Sequence, residues 1–173
     1  IIDDPFIDRA IVKQPFDDEA VPCVTKKIVE NGIFRGFMHN LSSANFFNTT
    51  STGNGFKEGI SAPVSVSPTN LYLQPGDTSF DDLIASMDKG VLVTNVMGLH
   101  AGLNPISGAF NVQASGFEIE NGKISRPVTL FVVSSNFYEL LNNIELIGSD
   151  LEEKFIGVAA PSVKIKNVLI SGK

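Results

Sequence analysis

Tryptophan is absent from this sequence, cysteine occurs once, at Cys23, and histidine twice, at His39 and His100. One cysteine excludes an intramolecular disulfide and suits a reducing, cytoplasmic setting. A self-contained zinc site needs three or four of His, Cys, Asp and Glu at workable spacing. The soft donors here are far apart, no His-Glu-x-x-His occurs, and no metal ligand is assigned. Cys23 follows Pro22 in an apparent strand, where a thiol reads as a small buried hydrophobe. No Gly-x-Ser-x-Gly elbow is present, so serine chemistry has no framework. No catalytic residue is assigned. Basic residues are also scarce, 13 against 19 acidic ones, for a net charge of −6. They are scattered as well, which argues against nucleic acid as a partner because phosphate binding needs clustered Lys and Arg. No apolar run approaches the length of a membrane span, and no signal peptide is read.

What remains is a chain of 173 residues with 43% hydrophobic residues, 13 Phe, 15 Gly and 9 Pro. That is enough for one domain with a sizeable core, its aromatic packing left to Phe. The first twenty residues are acidic and punctuated by Pro5 and Pro15, and read as an extended segment with a solvated face. Two Asn-Gly dipeptides, Asn31-Gly32 and Asn121-Gly122, predict hairpins with two-residue type I′ turns. The strands of the second hairpin are expected over residues 111–120 and 123–134. Helical spacing with caps predicts a short helix over 41–48 capped by Ser42 or Ser43. A second runs from Thr78 or Ser79 toward Gly90, and a third from Ser135 or Asn136 to about Ile147. Val91-Leu-Val-Thr-Asn-Val96 is a near-continuous apolar run, expected as a strand buried on both faces. Prolines flank short strands over 62–66 and 70–73, as suits sheet edges, and a last strand covers 163–170. Counting about eight strands and two full helices, the expected class is α+β, mostly antiparallel, with a barrel- or sandwich-like sheet.

Two loops draw attention. Thr52-Gly-Asn-Gly55 offers backbone amides that an anion accepts, although no Gly-Lys-Ser/Thr follows and a mobile surface loop is the plainer reading. Gly98-Leu-His-Ala-Gly-Leu-Asn-Pro-Ile-Ser-Gly-Ala-Phe110 is held between strands, where binding residues tend to sit. His100 stands in this glycine-rich loop instead of a helix, and with Asn104 it is the candidate substrate contact. The alternative for His100 is a hydrogen bond within its own loop.

Several segments fall in the order of a known family. They are Pro15-Phe-Asp-Asp-Glu-Ala20, the hairpin 28–36, Ser51-Thr-Gly-Asn-Gly55, Asn70-Leu-Tyr-Leu-Gln-Pro-Gly76, the loop 98–110, Gly116-Phe-Glu-Ile-Glu-Asn-Gly122, Pro127-Val128 and Ile147-Gly-Ser-Asp-Leu151. Together they resemble the carboxy-terminal domain of the TldD/PmbA (TldE) family, long labelled modulators of DNA gyrase. The resemblance covers the whole chain. It implies one C-terminal domain, residues 1–173, of a longer protein whose N-terminal domain is absent here. It implies a cytoplasmic metallopeptidase complex that degrades or matures unfolded peptides, with a paralogous catalytic subunit or a second copy as partner in a dimer. In the catalytic subunit a histidine-bearing helix lies upstream, and a zinc-ligating Cys comes from the loop before the final strand. Here residues 148–161 contain no Cys, and residues 97–108 are closer to the PmbA form. The resemblance therefore points to the non-metal subunit, with zinc in the partner or upstream and no cofactor in this chain. An active metallopeptidase with its zinc motif upstream is the alternative, and a gyrase-binding regulator is another.

Overall fold

The computed structural model describes residues 1–172. In chain order, the elements of the first part are β1 (Ile2–Asp3), β2 (Lys26–Lys27), β3 (Val29–Glu30), β4 (Ile33–Phe34), α1 (Leu41–Phe46), β5 (Gly55–Phe56), β6 (Ser65–Val66) and β7 (Leu71–Tyr72). There follow α2 (Phe80–Ala85), β8 (Lys89–Met97), α3 (Leu99–Gly102), β9 (Ala109–Glu120), β10 (Lys123–Asn136), α4 (Phe137–Asn142), β11 (Ile144–Ile147), β12 (Val158–Ala159), β13 (Val163–Ile165) and β14 (Leu169–Ser171). The chain divides into two compact units, residues 1–74 with 151–161, and residues 75–150 with 162–173. The class is α+β and mostly antiparallel, as expected, and no sheet among the described residues closes into a barrel.

In the first unit β1 is paired on both sides, antiparallel to β2 and to β7, and β12 joins β7 in parallel. The proline-flanked β7 is thus an inner strand, not an edge, because its neighbours approach over two residues only and no proline need donate. Asn31 and Gly32 both have positive φ (50° and 76°), the geometry of a type I′ turn, and β3 pairs with β4 across them. The cap of α1 is Asn40, one position before the serines named above. Its side chain accepts from the Ser43 N–H while Ser43 Oγ accepts from the Asn40 N–H, at 2.8 and 3.1 Å, a reciprocal capping box.

In the second unit the sheet order is β14-β10-β9-β8, all antiparallel. Asn121 and Gly122 (φ 50° and 71°) form the predicted type I′ turn between its two longest strands. Along β9 every second residue from Phe110 to Ala114 is buried, and Phe110, Val112 and Ala114 meet Phe131 and Val133 of β10 in the core. The alternation continues through Gly116, where a Cβ would collide with the Leu92 carbonyl of β8. An extra residue in β10 between Val128 and Phe131 puts Leu130 at φ 59°. That is a β-bulge, which bends the strand.

Four expectations are corrected here. The run over 91–96 forms β8, but β8 is the sheet's outer strand. Val93 and Val96 are exposed, so the strand is not buried on both faces. The helix after the hairpin ends at Asn142, and residues 144–147 form β11 instead, paired with β13. Cross-strand partners, Ile165 for Ile144 and Val163 for Ile147, override the helical spacing. Similarly α2 stops at Ser86, well before Gly90. The last strand breaks at Asn167, which adopts φ 56°, giving β13 and β14.

Candidate functional site

The loop that follows β8 is ordered by its own backbone. Gly98 (φ 77°) turns the chain into α3, a single helical turn. Asn104 then closes a second turn, its Oδ1 accepting from the N–H groups of Ile106 and Ser107 at 2.9 and 3.0 Å. Gly108 donates to the Asn104 carbonyl, and the Asn136 side chain donates to the Ser107 carbonyl at 2.7 Å. The loop is therefore pinned to the start of α4. Sequence reasoning placed His100 outside a helix, whereas it lies on α3. Its imidazole is exposed and makes no hydrogen bond among the described residues. The structure puts His100 and Asn104 in one loop at the end of an outer strand. The Asn104 oxygen is occupied by the turn, and the imidazole is free to meet a ligand.

A denser cluster of polar groups lies in the first unit, where the sequence was read as solvated. Asp3 is fully buried. Its Oδ1 accepts from the Thr69 N–H and Oγ1, each at 2.7 Å, and its Oδ2 accepts from Lys26 Nζ and Asn54 Nδ2, each at 2.9 Å. Burial pushes the Asp3 carboxyl upward, but the bonds from Asn54, Thr69 and Lys26 outweigh it and hold the group below the ordinary carboxylate range. Asn54 also donates to the Ser67 carbonyl and accepts from Thr52 Oγ1. Asp17 Oδ1 accepts from the Glu19 and Val21 N–H groups, and its Oδ2 from the Gly55 N–H at 2.9 Å. Glu19 Oε2 caps the Leu41 N–H at 2.7 Å. Asn70 donates to the carbonyls of Asp4 and Val12.

This overturns two sequence readings. Asp3 and Asp17 are not a solvated face, and Thr52-Gly-Asn-Gly55 is not a mobile surface loop. Gly53, Asn54 and Gly55 are buried, and a Cβ on Gly53 (φ 68°) would sit 2.5 Å from the Pro22 carbonyl oxygen. A polar composition is compatible with burial when every group finds a partner. No buried side-chain N or O among the described residues lacks one. The signal available in the sequence was Asp3 itself, a carboxylate directly after Ile1-Ile2 at the start of a β segment.

The donor set does not fit zinc. Cys23 is buried as expected, though outside any strand. Its Sγ is 3.1 Å from the Gly53 carbonyl oxygen, to which it donates, and burial, then the Asp17 carboxylate, pushes the thiol upward, away from the thiolate a metal requires. His39 has its Nδ1 3.2 Å from Ser43 Oγ, while His100 belongs to the second unit. Among the described residues no three of His, Cys, Asp or Glu converge on one point. In the segment before the last strands, Asp150 accepts from the Ser162 N–H and Oγ at 2.9 and 2.7 Å.

Residues 1–172 match the family model of the PmbA/TldA metallopeptidase C-terminal domain. A metalloprotease PmbA homologue of Buchnera aphidicola is 33% identical over 172 residues, covering 99% of this chain and 36% of its own length. Solved crystal structures are similar as well. A candidate modulator of a DNA gyrase from Thermotoga maritima has TM-score 0.89 and 40% identity over 98% of this chain and 38% of its own. TldE from Thermococcus kodakarensis has TM-score 0.90 and 31% identity over 99% of this chain and 39% of its own. The chain thus spans under two fifths of the length of these relatives.

Proposed function

Because the chain belongs to the TldD/PmbA metallopeptidase family, we propose that it serves as the C-terminal domain of a PmbA/TldE-like subunit. In this reading the subunit carries no metal of its own and works in a cytoplasmic complex with a zinc-bearing paralogue that degrades or matures unfolded peptides. The observation that carries this reading is the direction of the motif side chains. Asp17, Glu19 and Asn70, with Cys23 beside them, aim their polar atoms at backbone, and Asn54 aims its amide at Asp3, so these residues build the domain and are not left open as ligands.

Substrate would be met elsewhere. Among the described residues the outer edge of β8 has no partner strand, and an extended peptide adds to such an edge through main-chain bonds that do not depend on sequence. A strand laid there runs toward α3, where His100 stands as the side chain available for contact. The test uses the full-length protein carrying this domain, purified alone without chelator and assayed on an unfolded peptide with and without the zinc-bearing paralogue. Background zinc, no cleavage alone and cleavage with the paralogue are expected. Near-stoichiometric zinc with cleavage by the lone protein overturns the reading.

A further inference from the structure

Asn-Gly occurs three times in the chain, and the fold gives each copy a different setting. The dipeptide is chemically labile. The glycine nitrogen can bond to the asparagine Cγ, closing a five-membered succinimide and expelling ammonia, and water then opens the ring at either carbonyl. Glycine favours the attack because no Cβ shields its nitrogen. The rate in a folded chain is set by what must be released first. Asn54-Gly55 is buried. The Asn54 amide donates to Asp3 and to the Ser67 carbonyl at 2.9 Å, its oxygen accepts from Thr52 Oγ1 at 2.7 Å, and the Gly55 N–H donates to Asp17 at 2.9 Å. Asn121-Gly122 joins the two longest strands of its sheet and is held from the side as well. The Gly122 N–H donates to the Met87 carbonyl at 2.8 Å and the Asn121 N–H to the Asp88 carbonyl at 2.7 Å. A Cβ on Gly122 would lie 2.9 Å from the Ala85 carbonyl oxygen. Asn31-Gly32 has no such support. Both residues are exposed, and among the described residues neither the Asn31 side chain nor the Gly32 N–H makes a hydrogen bond. A Cβ on Gly32 would meet no atom within 4 Å.

We propose that Asn31 is a site of spontaneous modification, converted by water to aspartyl and isoaspartyl forms while the domain stays folded. The step balances: one water enters and one ammonia leaves, with no oxidant or reductant. To react, Asn31 must leave its turn geometry, and the hairpin beneath it resists weakly. β3 and β4 pair over two residues each, with one further bond from the Arg35 N–H to the Ile28 carbonyl at 2.9 Å. A short two-stranded hairpin is marginal by itself and opens at low cost. The aspartyl product adds a carboxylate directly after Glu30, which is already paired with Lys27 and with Arg35, the latter at 2.9 Å. The isoaspartyl product routes the main chain through the Asn31 Cβ and lengthens a turn that a type I′ geometry restricts to two residues. The pairs Val29–Phe34 and Glu30–Ile33 cannot both survive that extra bond. The modification therefore unlocks this hairpin and leaves the rest of the unit in place.

The test ages the full-length protein carrying this domain in mildly alkaline buffer and samples it over days. Each sample is digested at acid pH and mapped by mass spectrometry with electron-based fragmentation, which separates aspartyl from isoaspartyl peptides. In folded protein, conversion at Asn31 should run about tenfold or more ahead of conversion at Asn121, and Asn54 should stay intact. In urea the three rates should converge, because the dipeptide is the same and its shielding is gone. Asn31→Gly, which leaves a Gly-Gly pair that a type I′ turn accepts, should remove the early ammonia release, with circular dichroism confirming the fold. In the isoaspartyl fraction, hydrogen exchange should quicken over residues 28–35 and stay unchanged along β9 and β10. Equal conversion at Asn31 and Asn121 in folded protein overturns the inference. So does an Asn31 rate that urea raises as steeply as it raises the Asn54 rate, or ammonia release that Asn31→Gly leaves intact.

Discussion

Replacing Asp3 by Asn removes one charge and almost no volume, and its cost follows from the bonds the carboxylate accepts. All four donors point inward, two at each oxygen. An amide must turn its NH2 toward one pair. Facing Lys26 and Asn54 it opposes an ammonium and a second amide. Facing Thr69 it leaves a buried N–H unpaired, although the hydroxyl is able to rotate and accept. The second arrangement is the less costly, and it combines an orphaned donor with a Lys26 side chain only 14% exposed that has lost its counter-charge. An unsatisfied buried donor costs about 1–3 kcal/mol, and breaking a buried pair about 3–5 kcal/mol. We expect about 3 kcal/mol. With a urea slope of about 2 kcal/mol/M, the midpoint falls by about 1.5 M. The chain has no Trp and two Tyr, so Tyr72 fluorescence in a Tyr138→Phe background reports on the first unit alone. The pH dependence gives a second reading. An unfolded Asp titrates near about 3.9, and the folded carboxyl lies below its ordinary value. The unfolded state therefore binds more protons as pH falls. The stabilisation is fully present above about pH 5 and is lost as pH drops through the folded pKa. Asp3→Asn should remove that part of the acid slope. A midpoint shift under about 0.5 M, or an acid limb as steep as in the unsubstituted chain, refutes the reasoning.

Gly116→Ala should cost more than about 2 kcal/mol, since its Cβ meets the Leu92 carbonyl and, at 3.1 Å, the Val93 Cα. Hydrogen exchange should localise the loss to the β8–β9 pairing. The Cys23 thiol should resist a disulfide reagent at pH 8 in the folded chain and react in urea. Rapid labelling of folded protein contradicts the buried, upward-shifted thiol. Asn104→Ala removes two bonds to backbone N–H groups of an exposed turn and should lower the thermal stability of the second unit by only about 1 kcal/mol. A larger loss would mean that the loop is part of the core.

What was legible in the sequence was what local chemistry decides. Asn-Gly needs positive φ at both residues to join two strands, so both hairpin turns were readable from two residues each. Ser79 capping α2 is local in the same sense. The errors arose where a distant partner decides. Ile144 and Leu141 fit one helical stripe, but Ile147 pairs with Val163, and nothing near residue 144 announces that. The apolar run in β8 would be expected inside a sheet, yet among the described residues only β9 pairs with it. The polar network was the hardest to read. Asp3, Lys26, Asn54 and Thr69 are spread over 67 positions, and the bonds that join them to Asp3 span 23 to 66 residues of sequence.

That same spread explains why family motifs and binding residues need not coincide. Thr52-Gly-Asn-Gly55 would suit an anion, because a glycine-rich turn exposes N–H groups. In the fold the Gly55 N–H is taken by Asp17 and the Asn54 amide by Asp3, so two carboxylates of the same chain occupy the positions an anion would claim. The glycines serve close approach: Gly53 packs on Pro22, and Gly55 packs on the Glu19 side chain. The acidic segment and the glycine loop are therefore two halves of one internal contact. A substitution in either should be read first as a stability change. An effect on peptide cleavage assigns function to these residues only if the unfolding midpoint of the variant stays where it was.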